Sequence, residues 1–300
     1  MVEFLQQLIN GLALGSIYAL IALGYTMVYG VLRFINFAHS DVFMVGAFCG
    51  YYASKSASPF LASGTVTAAI VVLLAAMGVC ALLGMIIERL AYRPLRERSK
   101  LTVLITAIGV SLLMEFTGQL VFGADPKSFR LLPSKNLQLT GGVVFNTNQV
   151  VVLGLTVVLL LALQAIVLKT RIGTAMRAVS FNHRAAALMG INIDMVISFT
   201  FGLGSALAAA AGILYAISYP SIDPLMGVMP GLKAFVAAVL GGIGNIPGAA
   251  IGGLLIGVIE TMVSGYVSST YRDAIAFAVL ILILLFKPTG LLGQTSVEKV

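Results

Sequence analysis

The chain of 300 residues is poor in charge and in the residues that build catalytic or metal centres. Only 10% of its side chains are charged, and it has two cysteines, two histidines and no tryptophan. Soluble domains usually carry charge on about a quarter of their residues, so this composition excludes an ordinary soluble enzyme. Cys49 and Cys80 both fall in apolar segments and cannot form a disulfide framework.

Motifs for catalysis and for nucleotide binding are missing as well. The sequence has no G-x-x-x-x-G-K-[ST] loop, no H-E-x-x-H motif and no G-x-S-x-G turn. His39 and His183 cannot form a metal-ligand cluster, and neither has an evident serine or cysteine partner for nucleophilic catalysis. We therefore predict no catalytic residue, no metal site and no cofactor bound by this chain.

Apolar sequence is abundant. Hydrophobic residues make up 59% of the chain, and the mean hydropathy is +1.04. Several uncharged stretches exceed the roughly 20 residues that cross a bilayer core of about 30 Å. They are Phe4–Leu32, Ser56–Ile87, Asn136–Leu168, Met195–Ile222 and Ala234–Ile259. The predicted fold class is an all-α integral membrane protein.

Hydropathy divides the chain into eight, or alternatively nine, membrane crossings. The predicted spans are 5–30, 38–53 (a short segment), 60–88, 101–122, 149–168, 195–217 and 271–286. A glycine-broken helix pair near 232–263 completes the set, because Pro247 lacks a backbone donor and glycine weakens a helix. We find no linker or low-complexity tract, so residues 1–300 are predicted to form a single transmembrane domain.

The basic residues predict the orientation. Loops 88–100 and 169–194 have a basic excess and are separated by two spans, so the positive-inside rule assigns both to the cytoplasm. The loop 123–148 then faces outward and the tail from Lys287 is cytoplasmic. The N-terminus is outside if 31–40 is a cytoplasmic turn, and inside if that segment is a break within the membrane. The two cytoplasmic loops carry most of the net positive charge, and no nucleic-acid partner is predicted.

Four ionisable residues fall within or beside the apolar segments. Glu115 and Glu260 lie in predicted spans, and His39 and Asp41 follow Asn36. A charge at mid-bilayer costs at least about 2.5–3.5 kcal/mol, so such groups usually face the protein interior. A structural hydrogen bond is the favoured role for Glu115 and Glu260. His39 and Asp41 could form a proton relay, but one histidine and one aspartate are few groups for that role.

The glycine-rich stretch 241–248 permits two interpretations. Broken helices often border translocation pathways, because non-helical backbone at membrane depth is tolerated only inside protein or beside water. A tight cytoplasmic turn between two short helices is the alternative. The candidate pathway or gating residues are Asn36, His39, Gly242, Gly244, Asn245 and Pro247.

Small residues recur every four positions in the apolar segments, as in Gly11, Gly15 and Ala19. Such spacing permits close approach of two helices in lipid. Packing within this chain is the favoured interpretation, and a dimer face is the alternative.

The segment 169–194 contains a short helix that needs a partner. Asn182 is a good N-cap, Ala185–Met189 favours helix, and Gly190 suits the position after a helix end. A helix of about two turns is marginal in water. Its three successive alanines offer little area to lipid but let another protein approach closely, so we predict docking in a groove of a partner. Asp194 is expected to cap the span that follows.

Five segments in order resemble the membrane permeases of ABC importers for branched-chain amino acids, of the LivH type. They are Gly11–Gly30 (apart from Ile21), Ile35–His39, Asn182–Ile191, Gly241–Ala249 and Phe286–Leu291. The resemblance covers nearly the whole chain. It implies an importer of two permeases and two ATPases, located in the bacterial inner membrane and fed by a periplasmic amino-acid-binding protein.

The resemblance also implies how this chain takes part. ATP and Mg²⁺ belong to the partner ATPases, and the permease itself is not an enzyme. The second permease is either a copy of this chain or a paralogue. The residues that correspond to the family's coupling helix, which contacts the ATPase, are Asn182, His183, Arg184, Ala185, Ala186, Leu188 and Gly190.

Two other functions remain open at this point. A related ABC permease for urea or short amides has similar motifs. A self-sufficient secondary transporter would use His39, Asp41, Glu115 and Glu260 as its ion path. A secondary transporter works alone in liposomes, whereas an ABC permease does not.

Overall fold

Helices dominate the structure, a computed structural model that describes residues 2–57, 64–96, 98–138 and 142–293. The helices are α1 (Val2–Leu32), α2 (His39–Ala57), α3 (Val66–Ile87), α4 (Lys100–Phe122), α5 (Thr147–Lys169), α6 (Arg171–Phe181), α7 (His183–Leu188), α8 (Ile193–Ser218), α9 (Val228–Gly241), α10 (Ile246–Tyr266) and α11 (Arg272–Phe286). The predicted all-α fold class is confirmed.

Short strands lie between some of the helices, all on one face of the bundle. They are β1 (Lys127–Ser128), β2 (Asn136–Gln138), β3 (Val144–Asn146) and β4 (Ser221–Ile222). β1 pairs antiparallel with β4, and β2 pairs antiparallel with β3. These pairs fix the loops that join α4 to α5 and α8 to α9.

Each predicted span corresponds to a helix. Seven helical segments of the described chain are long and apolar enough to cross a membrane, and α9 is a shorter apolar helix. The predicted segment 38–53 is α2. The chain is therefore a multi-pass membrane protein, and α2 and α9 are its short membrane-embedded helices.

Two helices form the centre of the bundle. The apolar windows of α1 and α8 are 94% and 83% buried, whereas those of α4, α5 and α11 are 17%, 22% and 6% buried. α10, α8 and α9 pack on α1, and α3 and α2 pack on α8. Because the outer helices are apolar on their exposed faces as well, their sequence suits a lipid surround.

A glycine seam joins α1 to α10. A Cβ added to Gly15 would lie 2.7 Å from the Cα of Leu254, and one added to Gly11 would lie 2.7 Å from the Cα of Val258. The contact is reciprocal, because a Cβ on Gly257 would overlap the backbone of Gly15. The spacing of four residues thus serves packing within this chain, and the dimer-face alternative is wrong for these glycines.

The two ends of α1 lie on opposite faces of the bundle. The Gln6 side chain donates to the Val144 carbonyl and accepts from its N–H, both at 2.9 Å, beside the outer strands. Arg33, just past the other end, borders the same cavity as α6 and the α9–α10 turn. We call this second face, which carries segments 88–96 and 169–192, the basic face. Segment 31–40 is therefore a turn from the basic face back into the bundle.

α2 and α9 both begin inside the bundle. The His39 ring packs against Gly24 of α1, and a Cβ on Gly227 or Gly231 would meet Ser40. Gly24 lies eight residues before the end of α1, or roughly 12 Å at the helical rise of about 1.5 Å per residue. From this meeting point α9 runs to the basic face and α2 runs to the opposite face.

Candidate functional site

The short helix α7 projects from the basic face and has a complete cap at each end. The Asn182 Oδ1 accepts the Ala185 N–H at 3.0 Å. At the other end Gly190 has φ +82°, its N–H donates to the Ala187 carbonyl at 3.0 Å, and the Ile191 N–H donates to the Ala186 carbonyl at 3.1 Å. This is a Schellman motif, whose left-handed position favours glycine. The helix and both of its caps are confirmed.

One side of α7 is fully open. Leu188 is 88% exposed and Met189 is 82% exposed, so two large apolar side chains project from the helix end. Ala186 is only 4% exposed and faces the chain's own bundle. Ala186 therefore cannot be a groove contact as predicted, because at 3.6 residues per turn it lies on the face opposite to the projecting one. The exposed side of α7 includes Arg184, Ala185, Leu188 and Met189.

The surroundings of α7 are positively charged. Burial lowers the pKa of His183, and the nearby guanidinium groups of Arg33 and Arg96 lower it further. The ring is therefore neutral near pH 7, which avoids a further cation at the helix N-terminus. The exposed surface of α7 is therefore an apolar tip with basic groups around it.

Ion pairs join the start of α8, the helix that follows α7, to the α3–α4 connection. Asp194 binds Arg93 and also Arg96, the latter at 2.7 Å between Oδ1 and Nη1. Arg96 reaches the buried Glu88 as well, which accepts from the Ser198 hydroxyl of α8 at 2.5 Å. The predicted capping role of Asp194 is wrong. The cap of α8 is Asn192, whose side chain accepts the Met195 N–H at 3.1 Å.

The six candidate pathway residues do not form one site. Gly242, Gly244, Asn245 and Pro247 form the turn between α9 and α10 at the basic face. Gly242 and Gly244 have φ +103° and +94°, conformations that glycine adopts without strain. Asn245 caps α10 at 3.0 Å and donates to the Leu292 carbonyl at 2.9 Å. This is the geometry of the tight-turn interpretation, with the C-terminal stretch 290–292 packed on it.

Asn36 and His39 lie elsewhere, deeper in the bundle. The Asn36 Oδ1 accepts from the Tyr92 hydroxyl at 2.5 Å. The His39 ring lies 4.9 Å from the Tyr25 ring, and its Nε2 has no hydrogen-bond partner among the described residues. Both side chains belong to the region where α2 and α9 begin.

Glu115 differs from its prediction. The Ser111 hydroxyl donates to the Asp41 carboxylate at 2.5 Å, joining α4 to α2. Glu115, one turn further along α4, makes no hydrogen bond or ion pair within the described part of the chain. The predicted structural hydrogen bond is therefore not seen at Glu115, because α4 is an outer helix that presents few partners there.

Glu260 lies in an ionic cluster that is buried at Glu260 and Lys233 and partly exposed at Arg272 and Asp273. Its carboxylate accepts from the Tyr18 hydroxyl at 2.9 Å, from the Lys233 ammonium at 2.8 Å and from Arg272 at 2.6 Å. Lys233 also contacts Asp273 at 2.5 Å. The predicted hydrogen bond of Glu260 is confirmed. The cluster joins α1, α9, α10 and α11 and has two positive and two negative groups.

Residues 7–284 match the family described as the branched-chain amino acid transport system permease component. The chain belongs to this permease family. LivH of Escherichia coli strain K12, a high-affinity branched-chain amino acid transport permease, is 44% identical over 307 residues, which cover 99% of this chain and 98% of the relative. LivH of Salmonella typhimurium is 43% identical over 308 residues and BraD of Pseudomonas aeruginosa is 41% identical over 302, with the same coverage. The resemblance noted in the sequence motifs is confirmed.

Sequence reasoning missed two ionic groups of this permease. Lys233 is 1% exposed and Glu88 is fully buried. A lone lysine in an otherwise apolar helix was a usable signal, because a membrane-embedded charge needs a partner. Glu88 gave no such signal, since it stands in a loop rich in charge.

Proposed function

We propose that this permease carries branched-chain amino acids across the bacterial inner membrane as the transmembrane part of an ABC importer. Residues 1–300 act as one transmembrane domain, with the basic face and the C-terminal tail in the cytoplasm. Two ATPase subunits bind ATP and Mg²⁺, and a second permease subunit completes the pathway. A periplasmic binding protein delivers the amino acid, and this chain contributes no catalytic group.

The exposed helix α7 is the observation that carries the proposal. Its apolar tip at Leu188 and Met189 is held out by caps on both ends and would be costly to leave in water without a partner. A groove on an ATPase would bury this tip and surround it with acidic groups that complement the basic rim. We infer that Asn182, His183 and Gly190 shape the helix while Arg184, Ala185 and Leu188 contact the ATPase.

Movement of α7 has a route into the membrane. α7 continues into α8, a central helix, and Asp194 at the start of α8 binds the arginines of the α3–α4 connection. A displacement imposed by the ATPases would therefore shift α8 and α3 together. We propose that this shift exchanges outward and inward access, and that ATP acts by favouring one of these states.

The broken helices provide the region where access changes. α2 and α9 begin at mid-depth around Ser40, and such broken helices border the pathways of many transporters. We propose that Asn36 and His39 belong to this central region. The turn of Gly242, Gly244, Asn245 and Pro247 would act as a gate hinge at the basic end of α9.

The ion-path alternative has less support. Glu260 is already paired with Lys233 and Arg272 on one side of α1, whereas Asp41 binds Ser111 of α4. His39 is packed against Gly24 and the Tyr25 ring, and it makes no contact with the Glu260 cluster among the interactions of the described residues. These groups therefore do not line up as one relay for a proton or a cation.

Purification with partners, followed by reconstitution, tests the proposal. The tagged chain, extracted in mild detergent, should bring with it chains that contain a Walker A sequence. Proteoliposomes of that complex should take up labelled leucine only under two conditions. ATP must be present on the side of the membrane that carries the ATPases, and the binding protein must be present on the opposite side. Uptake by this chain alone would show a secondary transporter, and ATP-dependent uptake of urea in place of leucine would show an amide permease.

A further inference from the structure

A cleft of about 880 Å³ opens at the basic face between two outer helices, α5 and α11. α5 packs on α1 and α6, whereas α11 packs on α10 and α9. The ends of α5 and α11 at the basic face form the two opposite walls of the cleft. The end of α1, part of α6 and the α9–α10 turn form its floor. The cleft is distinct from the region around Ser40 and lies beside the start of α7, since Arg33 is also near His183.

Two arginines line this cleft without an acidic neighbour. Arg33 and Arg177 are both exposed, and the lining residues that the structure describes include no aspartate or glutamate. Within the described part of the chain neither arginine forms an ion pair, although Arg177 donates to the Thr174 hydroxyl at 3.3 Å. The cleft is therefore a concentrated positive site with unused hydrogen-bond donors.

Arg33 has an unfavourable backbone conformation. Arg33 has φ +56° and is the one non-glycine residue of the described chain in the left-handed region. A side chain normally avoids this conformation, and such strain persists where the surrounding structure or a function requires it. Glycine would satisfy the backbone better, so the presence of arginine points to a use for its side chain.

Apolar side chains form another part of the wall, beside the polar Gln164 and Thr289. Val167 and Leu168 of α5 face Leu284 of α11 across the cleft, with Ile243 between them at the floor. Leu168 and Leu284 are each 50% exposed, so the apolar wall continues onto the outer surface of the bundle. A ligand that fits both parts has an anionic head and an apolar tail.

The level of the two cations suits a lipid head group. Arg33 directly follows the last residue of α1, and Arg177 lies on α6, which begins two residues after α5 ends. α6 is amphipathic and buries Gly173, Met176 and Val179 against the bundle. Both guanidinium groups therefore lie where the membrane-crossing helices end, and this is the depth of the head groups.

We propose that this cleft binds one anionic phospholipid of the leaflet next to the basic face. The lipid phosphate lies between Arg33 and Arg177, and its acyl chains follow Val167, Leu168 and Leu284 outward. Guanidinium groups suit this role because they donate two parallel hydrogen bonds to a phosphate. The inference does not depend on which molecule the permease carries.

Native mass spectrometry of the full chain, purified in mild detergent, tests the site. The probes are phosphatidylglycerol, phosphatidylcholine and inorganic phosphate, each added at a series of concentrations. The variants are Arg33→Gly, which relieves the backbone, Arg177→Gln, and the double substitution. Arg89→Gln is the matched control, because Arg89 is an exposed arginine of the same face that does not line the cleft.

We expect one phosphatidylglycerol per chain in the wild type and in Arg89→Gln. Each cleft substitution should weaken its binding about fivefold, and the double substitution about 25-fold, since a basic residue near an anionic lipid is worth about 1 kcal/mol. Thermal unfolding of Arg33→Gly without lipid should match or exceed the wild type, which separates loss of the site from misfolding.

Three results would overturn the proposal. Equal retention of phosphatidylglycerol by the wild type and the double variant would show that the arginines do not hold it. Equal binding of phosphatidylcholine would show a site without charge selectivity. Displacement of phosphatidylglycerol by millimolar inorganic phosphate would show a site for free anions in place of a lipid.

Discussion

The buried ionic cluster shows how single charges are accommodated at membrane depth. Lys233 is 1% exposed and Glu260 is 2% exposed, and each has two or more charged or hydrogen-bonding partners. A buried charge needs such partners, because burial removes the water that would otherwise stabilise it. The cluster fastens the short helix α9 to α10 and α11.

Removing one member of the cluster should destabilise the permease. Lys233→Met leaves Glu260 and Asp273 with a single cation, and we expect a loss on the order of 3 kcal/mol. The double variant Lys233→Met with Glu260→Gln restores the charge balance and keeps a hydrogen-bonding group beside Tyr18, so it should regain much of the loss. Thermal unfolding of the detergent-purified chains measures both. A double variant no more stable than Lys233→Met would contradict charge balance as the cause.

The glycine seam makes a separate residue-scale prediction. Gly15→Val places a branched side chain where even a Cβ would lie 2.7 Å from the Leu254 backbone. We expect α1 and α10 to be forced apart, at a cost of about 1–3 kcal/mol or more, with less folded protein in the membrane. Gly154→Val is the control, since nothing lies within 4 Å of its added Cβ. Equal abundance and melting temperature of the two variants would refute close packing at the seam.

Local residue roles were predictable only where the signal itself is local. Asn182 and Gly190 were predicted because a cap depends on a few neighbouring positions. Ala186 was misassigned because the direction in which a helix residue faces is set by tertiary packing. Asp194 was misassigned for a similar reason, since its arginine partners lie about a hundred positions earlier in the chain.

At the scale of elements, α7 has two faces that should respond differently to substitution. Leu188→Asp puts a charge on the exposed tip, so it should abolish ATP-coupled uptake and leave the melting temperature within about 1 °C of wild type, as surface changes usually do. Ala186→Arg forces a long cation against the bundle and should lower the melting temperature as well. Uptake assays, unfolding curves and co-purification of the ATPase would be compared for the two. Undiminished uptake by Leu188→Asp would remove α7 as the coupling element.

The broken helices were predictable as sequence segments but not as a pair. The glycines and Pro247 indicated a break near 241–248, and the shorter apolar segment at 38–53 indicated a short helix. Nothing in either segment shows that α2 and α9 start side by side at Ser40. That contact depends on Gly227 and Gly231, which lie almost 190 positions from Ser40 and mark no motif of their own.

Orientation is a property of the whole molecule and involves two questions. One is which segments share a face of the bundle, and the other is which face is cytoplasmic. The bundle places α6, α7, the α9–α10 turn and the stretch up to Gly293 on the basic face. It places the beginning of α1 on the other face, beside β3. Which of these faces is cytoplasmic follows from the excess of arginine and lysine alone. The structure therefore fixes the relative sides, and the charge rule predicts which side is cytoplasmic.

Cysteine labelling in intact cells tests both arguments together. In a background of Cys49→Ser and Cys80→Ala, Glu3→Cys should react with a membrane-impermeant maleimide added outside, once the outer membrane is opened. Arg184→Cys on α7 should react only after the inner membrane is broken, because it lies on the basic face. Labelling of both from outside would contradict the opposed faces of α1. Labelling of Arg184→Cys alone would keep the fold but reverse the cytoplasmic assignment, and with it the docking of ATPases on α7.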